Sequence, residues 1–261
     1  MNRENIEKIA QNTEDKLLLA KIFDKISAGI RRNVPASTGF LTPRELELCR
    51  YLFGDVPGLM QFGGYDDAER KMLVYLPEYL DEEYLRDEDS PIVCLRARFH
   101  ESEQPNHRDF LGALMGSGIS RKSVGDICIG EGFCDLLVTA QIAPYLLQNF
   151  TSAGRTNLKL QQIPLNELQP PVQEFSEIKD TLSSMRLDCV VSAGFRIGRS
   201  LAAQYIAAGK VSVDGSPVEK PDKAIAEGAK ISLRGAGKIK LVSASGLTKK
   251  NRIPVIIHRY M

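Results

Sequence analysis

Three consecutive runs decide how the last third of this chain folds: Arg186-Leu187-Asp188-Cys189-Val190-Val191, Gly198-Arg199-Ser200-Leu201-Ala202-Ala203-Gln204-Tyr205-Ile206 and Lys210-Val211-Ser212-Val213-Asp214-Gly215. The first two place apolar residues at helical spacing. Gly209 follows the second and suits a helix C-terminus that needs positive φ. The third alternates as a strand does and ends in Asp-Gly, a pair that tolerates tight-turn geometry. Gly228-Ala229-Lys230-Ile231-Ser232-Leu233-Arg234-Gly235 and Gly237-Lys238-Ile239-Lys240-Leu241 add two further strands. The expected unit is two short helices against a small twisted sheet.

Its charge sets it apart. Residues 181–261 hold 14 Lys/Arg and 5 Asp/Glu, a net of +9, whereas residues 1–180 hold 20 Lys/Arg and 28 Asp/Glu, a net of −8. The overall +1 hides a basic module joined to an acidic body. Such a block points to a polyanion. Arg196, Arg199 and Ser200 fall at the start of the second helix, where unbonded amides and partial positive charge suit a phosphate. Arg186, Gln204, Lys210, Arg234, Lys238 and Lys240 complete the candidate RNA-binding set and are expected to ring one surface.

This module resembles the RNA-binding domain of small-subunit ribosomal protein S-four, the alpha-L motif. The resemblance rests on Arg-Leu-Asp, Arg-Ser-x-Ala, Gly-Lys-Val-x-Val-Asp-Gly, Pro221-Asp222, Ile-Ser-Leu-Arg-Gly and Gly-Lys. Gly198 stands where serine is usual and Ala229 where an acid is usual. Arg186-Leu187-Asp188 also echoes the catalytic triplet of one pseudouridine-synthase group. Here Met185 replaces the expected histidine, and the triplet opens the binding-domain helix itself. Gly235-Ala236-Gly237-Lys238 is not a phosphate loop, because Ile239 follows where Ser or Thr should hold magnesium.

The composition, 43% apolar and 26% charged over 261 residues, excludes disorder, collagen and coiled coil. No apolar run is long enough to span a bilayer. The charged start lacks a secretory h-region, so a cytoplasmic protein is expected. Five cysteines in no Cys-x-x-Cys pair indicate buried thiols rather than disulfides or zinc, and no metal or cofactor is expected.

Towards the amino terminus, residues 5–32 read as one helix. Thr42-Pro43-Arg44-Glu45 opens a second with a capping box and proline in its first turn, ending near Gly54. Strands are expected at 71–76, 92–99, 125–129, 134–139 and 158–163, and helices at 78–89, 109–115 and 143–150. From residue 91 this gives strand, helix, strand, strand, helix, strand, the order of a ferredoxin-like plait, which RNA-recognition motifs also use. An aromatic base-stacking strand is not obvious. Phe99 and Phe133 lie near the right places and are read as core. Gln169-Pro170-Pro171 reads as a break. The expected fold is α+β: an N-terminal helical region (1–68), a ferredoxin/RRM-like plait (69–168) and an S-four-like RNA-binding domain (181–261).

The body carries Phe40-Leu41-Thr42-Pro43-Arg44-Glu45, Phe62-Gly63-Gly64-Tyr65, Glu69-Arg70, a run from His107-Arg108-Asp109-Phe110-Leu111-Gly112 to Ile119, Arg121 and Gly125-Asp126-Ile127. With the basic module, these make the chain similar to the bacterial YlmH family. The resemblance implies a non-enzymatic RNA-binding protein, with no catalytic residues, acting on the large ribosomal subunit. Its implied partners are ribosomal RNA and tRNA, in rescue of stalled translation where peptidyl-tRNA is held on an obstructed subunit. A link to cell division also comes with the family. A monomer without membrane association is expected. The alternative is an RNA-modifying enzyme, pseudouridine-synthase-like, that uses the last domain for targeting. His107, Arg108, Arg121 and Lys122 form a candidate second RNA surface. His107-Arg108-Asp109 echoes a kinase catalytic loop without the partners such a loop needs.

Overall fold

A computed structural model describes residues 3–87, 89–171, 175–248 and 251–260. Glu88, inside the expected 78–89 helix, and Lys249 and Lys250, inside the basic module, lie outside the described residues. The chain divides into two compact units, Met1–Pro171 and Val172–Met261.

The first unit begins with α1 (Ile6–Ile9) and α2 (Thr13–Arg32). The sequence reads as one helix across them, but the chain breaks at Ala10, which is extended, and restarts where the Asn12 side chain accepts from the Asp15 amide. A good N-cap inside a helical pattern is worth about 1 kcal/mol, enough to favour a restart over continuation. β1 (Ala36–Ser37), α3 (Pro43–Phe53), β2 (Leu59–Phe62) and β3 (Met72–Tyr75) follow. The capping box of Thr42 and Glu45 forms, with Pro43 in the first turn. The three strands make a sheet in the order β1-β3-β2, of which β2 has no alternating signal in the sequence. The expected helix over 78–89 is reduced to a short 3₁₀ segment, Glu82–Leu85. Its acidic residues leave only Leu85 to bury, too little to hold a longer helix.

Next come β4 (Ile92–Arg98), α4 (His107–Gly116), β5 (Val124–Ile129), β6 (Phe133–Thr139), α5 (Ala143–Asn149), the hairpin β7 (Ser152–Ala153) and β8 (Thr156–Asn157), and β9 (Lys159–Ile163). The four long strands form a sheet in the order β5-β6-β4-β9, with every neighbouring pair antiparallel. Alternation along β4 and β6 sorts the two faces. Leu95, Ala97, Cys134, Leu136 and Val138 pack with Phe110 and Leu114 of α4 and Ala143 and Leu146 of α5. Ile92, Cys94 and Leu137 point the other way and pack with Phe40, Met72, Val74 and Leu76 from the N-terminal segment. Both faces of this sheet are therefore covered.

The second unit holds β10 (Phe175–Leu182), α6 (Leu187–Phe195), α7 (Arg199–Ala207), β11 (Val211–Val213), β12 (Ser216–Pro217), β13 (Lys230–Leu233), β14 (Gly237–Ala244) and β15 (Ile253–Tyr260). The sheet order is β10-β15-β14-β13-β11-β12. β10 and β15 pair over their full eight residues and widen the sheet beyond the strands legible in sequence. Val190, Val191, Ala202 and Ile206 of the helices pack against Ile231, Leu233, Ile239, Leu241 and Ile257. The opposite face carries no helix among the described residues of this unit.

Candidate nucleic-acid interface

The two helices of the second unit are joined by a tight turn. Arg196 takes the left-handed conformation at φ 54°, and Ser192 donates through Oγ to the Ile197 carbonyl at 2.7 Å. The two helix starts differ. At α6 the Leu187 and Asp188 amides donate to the carbonyls of Lys223 and Pro221 at 2.8 and 3.0 Å. At α7 the N-cap is Gly198, with no side chain to offer, and the first intrahelical bond runs from the Ala202 amide to the Gly198 carbonyl. The amides of Arg199, Ser200 and Leu201 thus face outward at the positive end of the helix.

A cleft of about 280 Å³ lies beside this start, lined by Arg196, Arg199 and Arg252, the Ser183 and Ser192 hydroxyls, Cys189 and Asp180. Arg252 is held there by Thr181, donating through Nε to its Oγ1 at 2.9 Å and through a terminal nitrogen to its carbonyl. Asp188 is 4% exposed and lies beneath the arginines. Arg199 donates to it through Nε at 2.9 Å, and Arg186 donates through Nε and Nη2 at 3.2 and 3.3 Å. Burial opposes the Asp188 charge, but the two guanidinium groups outweigh it and hold the carboxyl below its usual range. Arg199 remains 51% exposed at its side chain and Arg186 43%. The acid orients both arginines without covering them.

The other candidates divide. Ser200 and Gln204 lie one turn apart on the exposed side of α7. Lys210 follows the far end of that helix, its Nζ 5.0 Å from the Tyr205 ring centroid, and the Arg234 amide donates to the Lys210 carbonyl at 3.0 Å. Nine residues of helix place this pair roughly 13 Å from Arg199. Lys238 and Lys240 are elsewhere. Ile239 and Leu241 face the helices, so alternation sends Lys238, Lys240 and Lys230 to the opposite face. The expected single ring is thus two surfaces. Arg252 carries no signal in the sequence, because only the β10–β15 pairing brings it beside Arg196.

In the first unit His107 and Arg108 are exposed in the first turn of α4. Asp109 closes a capping box: Asn106 accepts from the Arg108 and Asp109 amides, and the Asn106 amide donates to the Asp109 carboxylate at 2.8 Å. That carboxylate caps the helix and is no partner for His107. The β7–β8 turn lies against it, since a Cβ on Gly154 would sit 3.2 Å from Asp109 Oδ1, which brings exposed Arg155 to the same corner. Lys122 is exposed. Arg121 is not: it donates to the Val124 and Gly125 carbonyls at 2.5 and 3.2 Å, and burial lowers its pKa. Arg70 donates to the carbonyls of Val124, Phe40 and Arg121. Asp126 accepts from Tyr65 Oη and from the Glu69 and Arg70 amides. A Cβ on Gly125 would strike the Phe40 ring at 2.5 Å. Much of the body's signature therefore knits the N-terminal segment to β5.

The cysteines are buried, and burial first of all pushes Cys49 and Cys128 up to about 12 and Cys94 and Cys134 higher still. Among the described residues no group of three or more His, Cys, Asp or Glu is placed to hold a metal ion, and no helix is long and apolar enough to cross a membrane.

One family model matches within each of the two units. Residues 97–167 match the family model described as "Putative RNA-binding domain in YlmH", and residues 185–231 match the S4 domain. The ribosome-associated protein quality control protein P2 of Bacillus subtilis (strain 168) is 35% identical over 224 residues, covering 85% of this chain and 86% of that protein. A solved structure of the cell division protein ylmH from Streptococcus pneumoniae is 21% identical with a TM-score of 0.49, covering 60% of this chain and 96% of that one.

Proposed function

The chain belongs to the YlmH family, and from that premise we propose that it is a non-catalytic protein that binds structured RNA on the large ribosomal subunit during quality control of stalled translation. The observation that carries this is the cleft of Arg196, Arg199 and Arg252 at the uncapped start of α7. Outward amides and forked guanidinium donors match phosphate oxygens and carry no base preference, as shape recognition of a folded RNA requires. The strip from Arg199 past Gln204 to Lys210 and Arg234 extends the contact along the backbone.

The first unit supplies the second contact. Its sheet order supports a ferredoxin-like plait, and its exposed side chains His107, Arg108, Lys122 and Arg155 are the groups offered to tRNA. Two tethered weak contacts act as one stronger contact through effective concentration. The name of the Bacillus relative supports a cytoplasmic role in rescue. Against an RNA-modifying enzyme stands the state of Asp188: the carboxylate that would serve as nucleophile is buried and bonded to two arginines.

The test is a titration of large-subunit ribosomal RNA across a potassium chloride series. Arg196, Arg199, Arg252, Lys210 and Arg234 together predict a log–log salt slope of roughly −4 to −5, and Arg196→Ala with Arg199→Ala should make it shallower by about 2. Unchanged affinity and slope in a folded double variant would refute the assignment.

A further inference from the structure

The second unit has another surface that the cleft does not use, the sheet face turned away from α6 and α7. Phe175, at the start of β10, is 46% exposed, although an apolar ring of its size normally packs inward. It stacks on His258 of β15 with ring centroids 3.8 Å apart and planes within 11°. Lys240 stands directly across from His258, and Lys230 directly across from Lys240. Like charges facing each other across strands are destabilising, so this lysine pair weakens the sheet it sits on. Two acids lie among these groups: Glu177, 3.1 Å from Lys179 and 3.7 Å from His258, and Asp214, whose carboxylate accepts from the Lys230 amide at 2.9 Å. The charge left over is positive.

We propose that this face is a stacking platform for an unpaired ribonucleotide, with the Phe175–His258 pair receiving a base and Lys230 and Lys240 receiving the adjoining phosphates. An exposed ring beside cations is what single-stranded nucleic acid requires, because every base offers a π face and every linkage a negative charge. A duplex already stacks its bases internally and gains nothing from the ring. The inference rests on the RNA-binding reading but concerns a different side of the domain and a different state of the RNA. It gives Lys230 and Lys240, which the cleft leaves out, a common ligand. The whole protein would thereby grip a helix by one face and the strand leaving it by the other.

Two RNAs separate the surfaces: a blunt hairpin closed by a compact, internally stacked loop, and the same hairpin with an unpaired tail of about eight nucleotides. The full chain is expected to bind the tailed form roughly tenfold more tightly, the worth of stacking about one base. Phe175→Leu, which keeps the apolar bulk, should lose that gain while binding the blunt hairpin as before. Because the chain has no tryptophan, Phe175→Trp introduces a single indole, whose emission should be quenched by the tailed RNA and not by the blunt one. Equal binding of the tailed RNA by wild type and Phe175→Leu, with an indole that does not respond, would overturn the proposal. Arg196→Ala with Arg199→Ala should weaken both RNAs alike. If that variant binds normally while Phe175→Leu loses the tail gain, the cleft assignment fails and the platform stands. The reverse pattern removes the platform and keeps the cleft.

Discussion

Asp135→Ala is the sharpest probe of how the first unit uses its sheet. Arg96 and Asp135 face each other across β4 and β6 on the side away from α4 and α5, with Arg96 donating through Nε and Nη2 at 2.7 Å each. Asp135 is 0% exposed and Arg96 7%. The Gln169 amide and the Glu167 carbonyl complete the hydrogen bonding, and the Phe133 ring lies 4.6 Å from the guanidinium carbon. Removing the acid strands a buried guanidinium whose remaining partners are one carbonyl and one ring, which costs about 3–5 kcal/mol. For a unit of this size each kcal/mol lowers the midpoint by roughly 2–4 °C, so the calorimetric transition of the first unit should fall by about 10 °C. Replacing both partners, Arg96→Met with Asp135→Leu, should restore most of it, because an apolar pair fills the space without an unpaired charge. The double variant should also bind RNA like wild type, since this face is closed by Phe40, Met72, Val74 and Leu76. A transition within about 3 °C of wild type for Asp135→Ala would refute the energetic argument. Loss of RNA binding in a folded double variant would refute the claim that the face is closed.

Asp188→Asn tests the acid beneath the arginines. The folded carboxyl is depressed, so its contribution to stability is present above the unfolded value near 4 and is lost as pH falls through that range to the folded pKa. The stability gap between wild type and variant should be widest at neutral pH and narrow progressively as pH falls below the unfolded value near 4 in urea titrations; a pH-independent gap would contradict the ion-pair account. Thiol reagents at neutral pH should leave Cys49, Cys94, Cys128 and Cys134 unmodified until the chain is unfolded, because burial has raised all four; rapid labelling of the native protein at any of them would contradict the core assignments.

What the sequence makes legible follows the reach of its signals. The α6–α7 pair, the turn at Asp214-Gly215 and strands β4, β5, β6 and β9 are read from spacing within ten residues or so, and they form. β10 and β15 are missed because each is defined by a partner more than 70 positions away, and β10 carries the charges Glu177 and Lys179 on its open side. The same distance hides Arg252. The single helix expected over 5–32 fails at a local cap that periodicity does not register. Arg121 looks like a surface cation in sequence, because a buried arginine satisfied by backbone carbonyls has the same letter as one aimed at phosphate. Lys238 and Lys240 mislead through composition: net charge counts them with Arg199, whereas a period of two puts them on another face.

An acid at the centre of a phosphate-binding cluster looks self-defeating, and magnitudes decide whether it is. At roughly 7 Å, with the effective dielectric of about 20 that holds near a protein surface, a carboxylate cancels about 2.4 kcal/mol of the attraction between the cluster and a phosphate. Freezing a long, rotamer-rich side chain on binding costs about 0.5–1.5 kcal/mol, and there are two here, Arg186 and Arg199. Asp188 meets most of that ordering cost during folding, when its own burial requires the two partners in any case. The two terms are of similar size, so the buried carboxylate costs the cluster little net attraction while holding the guanidinium groups where the outward amides of α7 already point. This also accounts for the division of labour along the domain: arginines fixed by an acid at the helix start, where geometry matters, and lysines on the sheet face, where charge suffices.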